Sequence, residues 1–134
     1  MSEFPQRIVY VDDDKGMCKI AGEVLEAIDP DIVFVSCPDV AEFLSRRREL
    51  QPDLLIMDVS MPDMNGPDTL AALRKDEDAD FPVIFLSKKH ELVMEDDYKA
   101  LGVIGVVHKP FDPTDLGDII RDMWAAHIKE NSFY

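Results

Sequence analysis

Cysteine is scarce in this sequence of 134 residues, and its two cysteines, Cys18 and Cys37, do not form a C-x-x-C pair. Two such residues supply neither a disulfide framework nor the four ligands of a structural zinc site. Basic residues are scarce as well: 14 Lys and Arg stand against 28 Asp and Glu, which gives a formal net charge of −14. Because binding to a phosphate backbone needs clustered positive charge, we expect no direct contact with nucleic acid.

Long apolar runs are absent too. The longest, such as residues 54–57, are far shorter than the ~20 residues of a membrane-spanning helix, so no membrane segment is predicted. The first residues contain no basic region followed by an apolar stretch, so we predict no export signal and a cytoplasmic location. For the one basic run, residues 46–48, we favour the solvated end of an amphipathic helix over a phosphate-binding patch.

What the chain does contain is a regular alternation of short apolar runs with segments of helical periodicity. Five strands and five helices in strict alternation predict an α/β fold, in which a parallel sheet is covered by helices on both faces and joined by right-handed crossovers. Because the runs are continuously apolar, they indicate strands buried on both faces. The five runs are residues 8–11, 32–35, 54–57, 82–86 and 103–107.

Polar residues stand where four of these runs end. Asp12 and Asp13 follow the first run, Asp58 the third, Ser87 the fourth and Lys109 the fifth. Since ligands of open α/β sheets bind beyond the carboxyl ends of the strands, we expect these side chains to meet at one edge. Converging carboxylates repel each other unless a cation lies among them, and Mg²⁺ meets that need. Lys109 and Ser87 would complete a pocket for a phosphoryl group, which a carboxylate can accept as an acyl phosphate.

The segments that carry these residues resemble the signature of response-regulator receiver domains of two-component systems. They are VDDD at residues 11–14, MDVSMPDMNG at 57–66, LS at 86–87 and HKPF at 108–111. The resemblance covers about residues 7–127, which leaves residues 1–6 as an N-terminal extension and 128–134 as a C-terminal tail. It implies a flavodoxin-like, doubly wound, five-stranded parallel sheet in the order 2-1-3-4-5, with five helices.

The resemblance also implies a role for each matching residue. Asp58 matches the phosphoacceptor, and Lys109 matches the lysine that pairs with the phosphoryl group. Ser87 matches the hydroxyl that moves toward a phosphoryl oxygen. In the family, the acid at the position of Asp12 acts on the metal through a bound water. The Mg²⁺ ligands implied are Asp12, Asp13, Asp58 and the backbone carbonyl of Ser60.

Three further positions have expected local roles. Gly66 is expected to provide a permissive turn after the third strand. The family usually has a cis bond before the proline of the HKPF segment, so Lys109–Pro110 is a candidate for a cis peptide. Asp14 matches no functional position, and we expect it to cap the first helix.

Two positions depart from the family pattern. The residue after the switch hydroxyl is normally small, but here it is Lys88, followed by Lys89. These lysines either point to solvent or cover the site, where they would alter phosphoryl access or the lifetime of the acyl phosphate. Val106 stands where receivers commonly carry a rotating Tyr or Phe, and Tyr98 is a candidate substitute.

The function implied is that of a signalling phosphoacceptor rather than a conventional enzyme. The implied donor is a histidine kinase or a histidine phosphotransfer protein, and we expect a monomer or weak dimer. No output domain follows residue 127 in this sequence, so the expected output is contact with an unidentified downstream protein, onward phosphotransfer or phosphate buffering.

Two alternatives stay open. The first is a pseudo-receiver that keeps the fold but binds partners without phosphorylation. The second is a phosphohydrolase of the haloacid dehalogenase type, whose D-x-D motif would be residues 12–14. Gly16 occupies the position where that motif has Thr or Val, which counts against the second alternative.

Overall fold

The computed structural model describes residues 3–60, 66–76, 79–88 and 96–131. Within these ranges, strands and helices alternate in the order that the sequence predicts, and none of the described helices is long and apolar enough to cross a membrane. The strands are β1 (Arg7–Val11), β2 (Val33–Cys37), β3 (Leu54–Asp58), β4 (Val83–Ser87) and β5 (Val103–His108). The α-helices are α1 (Lys15–Ile28), α2 (Val40–Leu50), α3 (Gly66–Leu73), α4 (Asp96–Ala100) and α5 (Leu116–Glu130), which follows a 3-10 turn at Pro113–Asp115.

The described strands form one parallel sheet in the order β2-β1-β3-β4-β5. This order confirms the predicted flavodoxin-like fold with five helices. The strand order reverses between β1 and β3. In such sheets this reversal leaves a crevice outside the carboxyl ends of the two strands, and ligands bind there. In the register, Val11 pairs with Met57 and Asp58 pairs with Leu86, so the carboxyl ends of β1, β3 and β4 lie side by side.

The side chains of the central strands alternate between two hydrophobic cores, one on each face of the sheet. On one face, the even-numbered residues of β1, β3 and β4 pack against α1 and α5. On the other face, the odd-numbered residues pack against α2 and α3. Because Asp12 and Asp58 continue the even-numbered series, this alternation directs both carboxylates to the same side of the sheet.

The edge strands differ from the prediction that every strand is buried on both faces. Val33 in β2 is 46% exposed, and burial alternates along β5, where Ile104 and Val106 are half-buried. The reason is position in the sheet: an edge strand has a neighbour on one side only, and the helices cover it incompletely. Strands β3 and β4, which lie inside the sheet, are buried throughout as predicted.

Gly66 corrects the expectation of a permissive turn. It is the buried first residue of α3 and does not have a positive φ. A Cβ at this position would collide with the side chain of Val59. Glycine is therefore required here for close approach of α3 to the end of β3, rather than for an unusual backbone conformation.

The fourth predicted helix is described only at its end. We predict a helical stretch over residues 90–101, and the structure describes α4 at Asp96–Ala100. Residues 90–95 of that prediction, together with Lys89, lie outside the described residues.

The basic run at residues 46–48 corrects another expectation, because Arg47 is buried rather than solvated. It lies on the same face of α2 as Phe43 and Leu50, at helical spacings of four and three. Its guanidinium pairs with Asp76, with Nη2 and Oδ2 2.6 Å apart. Arg46 pairs with Glu49 on the same helix.

Arg74 joins three segments near the amino-terminal ends of β4 and β5, at the edge of the sheet opposite the acid cluster. Its guanidinium donates hydrogen bonds to the carbonyl oxygens of Ala79, Phe81 and Leu101, at 2.6, 2.6 and 2.8 Å. The guanidinium carbon also lies 5.3 Å from the centre of the Phe81 ring, within range of a cation–π contact. The arginine thus ties the end of α3 to the entry of β4 and to the turn between α4 and β5.

We expect Arg74→Ala to lower the free energy of unfolding by about 2 to 3 kcal/mol, because three carbonyl groups lose a charged donor. The matched control is Lys75→Ala, an exposed neighbour, which should change the free energy by less than about 0.5 kcal/mol. Urea unfolding followed by circular dichroism measures both. Equal effects of the two substitutions would show that the Arg74 hydrogen bonds do not stabilise the fold.

Candidate phosphoryl and metal site

Three carboxylates converge at the carboxyl ends of β1 and β3. Asp12, Asp13 and Asp58 each place one oxygen within 4.8 Å of the others. Asp12 and Asp58 are almost fully buried, at 1% and 2% exposure, whereas Asp13 is exposed. Oxygen donors of this kind fit a hard divalent cation, and the exposed Asp13 leaves room for waters on the ion. The three carboxylates therefore fit a divalent cation, and Mg²⁺ as that cation stays a prediction.

Lys109, just beyond β5, reaches across the edge of the sheet to both buried acids. Its Nζ lies 2.8 Å from Asp12 Oδ2 and 2.9 Å from Asp58 Oδ2. The backbone fixes this reach, since the Lys109 amide donates to the Ser87 carbonyl at 2.7 Å. The Lys109–Pro110 peptide is cis, as predicted.

The electrostatics of the cluster follow from burial and from this ion pair. Burial raises the pKa of the Asp12 carboxyl, while its hydrogen bond with Lys109 acts in the opposite direction. Burial lowers the pKa of Lys109, but hydrogen bonds to Asp12 and Asp58 outweigh burial and raise it. Lys109 is therefore an ammonium at neutral pH. One ammonium facing three carboxyl groups leaves the site short of positive charge, which a divalent cation would supply.

Ser60 connects the loop after β3 with the loop after β4. Its amide donates to Asp58 Oδ1 at 2.7 Å, and its hydroxyl accepts a hydrogen bond from the Lys88 amide at 2.7 Å. These bonds place the Ser60 backbone beside Asp58, where its carbonyl is predicted to bind the metal. Ser87, next to Lys88 in the chain, is 1% exposed and lies at the end of β4.

A cavity of about 270 Å³ opens beside the acid cluster. Lys88 is exposed and also lines this cavity, so its effect on phosphoryl access stays a prediction. A phosphoryl group or a small phosphate donor would fit in this volume. The lining residues are Asp13, Asp14, Met17, Lys88, Lys109, Pro110 and Phe111.

Asp14 confirms its predicted role as a helix cap. Its carboxylate accepts a hydrogen bond from the Met17 amide at 3.0 Å and so satisfies one of the free amides at the start of α1. Its own amide donates to Asp12 Oδ1 at 3.0 Å, which orients that buried acid.

Tyr10 is a residue of the site that the sequence analysis missed. It is fully buried on β1, and its hydroxyl lies 3.5 Å from Asp12 Oδ2. Burial, followed by the negative charge of Asp12, raises the pKa of the phenol, which therefore stays a neutral hydrogen-bond donor. The signal in the sequence was the two-residue spacing of Tyr10 and Asp12, because residues i and i+2 of an extended chain share a face.

The two cysteines are free and buried. Cys18 lies beside the site, where its thiol donates to the Asp12 carbonyl at 3.4 Å. Burial raises the pKa of the Cys18 thiol to about 11 and also raises that of Cys37. Both therefore behave as inert, small hydrophobic residues.

The fifth strand lacks the aromatic residue that receivers commonly carry. Val106 is half-buried in the core of α2 and α3. Tyr98 of α4 packs on the same core and makes an edge-to-face contact with Phe85, with ring centres 6.1 Å apart. Tyr98 thus occupies the core next to β4, and its part in switching stays a prediction.

A family model for the response regulator receiver domain matches residues 8–121. The chain belongs to the response-regulator receiver family. Among curated relatives, the "DNA-binding response regulator MtrA" of Mycolicibacterium smegmatis is 34% identical over 131 residues. The match takes in 98% of this chain and 54% of that protein, so the receiver spans about half the length of this relative.

Solved structures agree with the fold of this receiver. The chemotaxis response regulator CheY4 of Vibrio cholerae is 26% identical, with a TM-score of 0.72, and the match covers 87% of this chain and 96% of that one. A CheY-like receiver domain protein of Methanospirillum hungatei has a TM-score of 0.74 over 94% of this chain and 98% of that one. At 23% identity, the second likeness concerns the fold alone.

We expect Mg²⁺ at tenfold excess over its dissociation constant to raise the midpoint of thermal unfolding by about 5 °C, because the ion binds the folded state. Asp13→Asn should abolish most of this increment, since it removes an exposed ligand without disturbing the buried acids. Asp14→Asn is the matched control and should keep the increment, because asparagine also caps helices. Differential scanning calorimetry in EDTA and in Mg²⁺ measures the unfolding midpoint of the wild type and of both variants. An increment that survives Asp13→Asn would contradict the ligand assignment.

Proposed function

We propose that this receiver accepts a phosphoryl group on Asp58 from a phosphohistidine donor in a Mg²⁺-dependent transfer. The observation that carries the proposal is the bridge of Lys109 between Asp58 and Asp12, inside a cluster of three carboxylates. An Asp58 oxygen forms a bond to phosphorus while the bond from phosphorus to the histidine nitrogen of the donor breaks. The product is an acyl phosphate on Asp58 and a free histidine on the donor.

Each residue of the site has a task in this proposal. Asp12, Asp13, Asp58 and the Ser60 carbonyl would hold Mg²⁺. The ion would supply positive charge that offsets the phosphoryl oxygens. Lys109 already has an ammonium within 2.9 Å of Asp58 and can pair with a phosphoryl oxygen there. Ser87 donates its hydroxyl to another oxygen and draws the loop after β4 inward.

The chain would act as a switch rather than as a conventional enzyme. Phosphorylation would bias an equilibrium between two conformations and so change the surface around α4 and α5. The proposed donor is a histidine kinase or a histidine phosphotransfer protein, and the proposed output of residues 7–127 is contact with another protein. The strongly acidic composition supports an output that does not bind nucleic acid.

We expect incubation with acetyl phosphate and Mg²⁺ to add one phosphoryl group, which intact-mass spectrometry detects. The gain should disappear in Asp58→Asn and in EDTA. Asp118→Asn, which changes an exposed acid on α5, is the matched control and should keep the gain.

The other outcomes separate the alternatives. A stable phosphoryl group on Asp12 would favour the haloacid dehalogenase type, whose nucleophile follows the first strand. No labelling by acetyl phosphate or by a panel of phosphohistidine donors, together with no Mg²⁺ binding in titration, would favour a pseudo-receiver.

A further inference from the structure

The hydroxyl of Tyr10 has a contact that packing alone does not require. The neighbouring side chains on this face of the sheet are mostly aliphatic, and the Tyr10 ring lies 5.9 Å from that of Phe34. A phenylalanine would fill the same space. The hydroxyl instead points at Asp12 Oδ2, 3.5 Å away, and buried side-chain nitrogen and oxygen atoms in the described residues all have hydrogen-bond partners.

Asp12 depends on a small set of donors because its side chain is shielded from water. Oδ1 accepts the Asp14 amide at 3.0 Å, and Oδ2 accepts the Lys109 ammonium at 2.8 Å and the Tyr10 hydroxyl at 3.5 Å. The hydroxyl contact is longer than the usual ~2.8 Å of such bonds, whereas the ammonium holds the same oxygen at 2.8 Å. The donors on Oδ2 are thus of two kinds, one charged and shared with Asp58, and one neutral.

We infer that Tyr10 is a positioning residue, whose hydroxyl holds Oδ2 of Asp12 when Lys109 turns from that oxygen to a phosphoryl group on Asp58. This inference rests on the proposed function. Loss of the ammonium would leave the Tyr10 hydroxyl as the described donor to this oxygen, and a buried carboxylate oxygen with no donor at all is costly. Tyr10 is held in place for this role, because its side chain is fully buried in the core that α1 and α5 cover.

The test compares two ligands on the full chain by titration calorimetry. We expect Mg²⁺ alone to leave Lys109 on Asp12, and beryllofluoride, a phosphoryl mimic that binds aspartate with Mg²⁺, to draw the lysine away. We expect Tyr10→Phe to weaken beryllofluoride binding at saturating Mg²⁺ about tenfold, the size of effect of one lost hydrogen bond to a charged group. Its affinity for Mg²⁺ alone should change less than about twofold, because the Lys109 ammonium still donates to Asp12 Oδ2.

The change in beryllofluoride affinity relative to the change in Mg²⁺ affinity distinguishes a positioning role of Tyr10 from a structural one. If Tyr10→Phe weakens both ligands equally, or neither, the inference is overturned. Failure of the wild type to bind beryllofluoride would instead overturn the proposed function on which the inference rests. Should Tyr10→Phe not fold, Tyr10→Leu provides the same comparison, because leucine matches the aliphatic residues of this face and also lacks the hydroxyl.

Discussion

One ammonium shared between two buried carboxylates organises the site. Lys109 lies within 2.9 Å of both Asp12 and Asp58, which are shielded from solvent. Either acid without this partner would be an uncompensated buried charge, so the ends of β1, β3 and β5 must stay in register for the site to be stable. A parallel sheet meets this requirement, because its strands all end at the same edge. The fold is thus the means by which three distant segments of sequence keep one ion pair together.

Much of this arrangement could be predicted from the sequence, because the buried strands are marked by composition. The apolar runs at β3 and β4 and the acids at the ends of β1 and β3 indicate both the sheet and the edge where the polar groups meet. The helix cap at Asp14 was equally visible, since capping depends on a local hydrogen bond. The order of the strands, by contrast, came from the family resemblance and not from periodicity.

What escaped prediction depends on side-chain contacts that only the folded structure reveals. Tyr10 resembles any aromatic core residue until the distance from its hydroxyl to Asp12 is known. Arg47 sits in a run of arginines that composition alone marks as solvated, yet the helix turns it toward Asp76. Gly66 suggested a turn, although close packing against Val59 explains the glycine. In each case the sequence specifies the residue type, and the tertiary neighbour decides its role.

The three consecutive aspartates after β1 point in different directions and have different roles. Asp12 points into the core toward Lys109, Asp13 faces solvent, and Asp14 turns back to cap α1. Each task belongs to one position in the sequence, although the residue type is the same at all three. An insertion or deletion of one residue between Val11 and Lys15 would leave an aspartate at most of these places while breaking the cap or the buried pair. This short connection should therefore tolerate substitution by chemically similar residues far better than any change in its length.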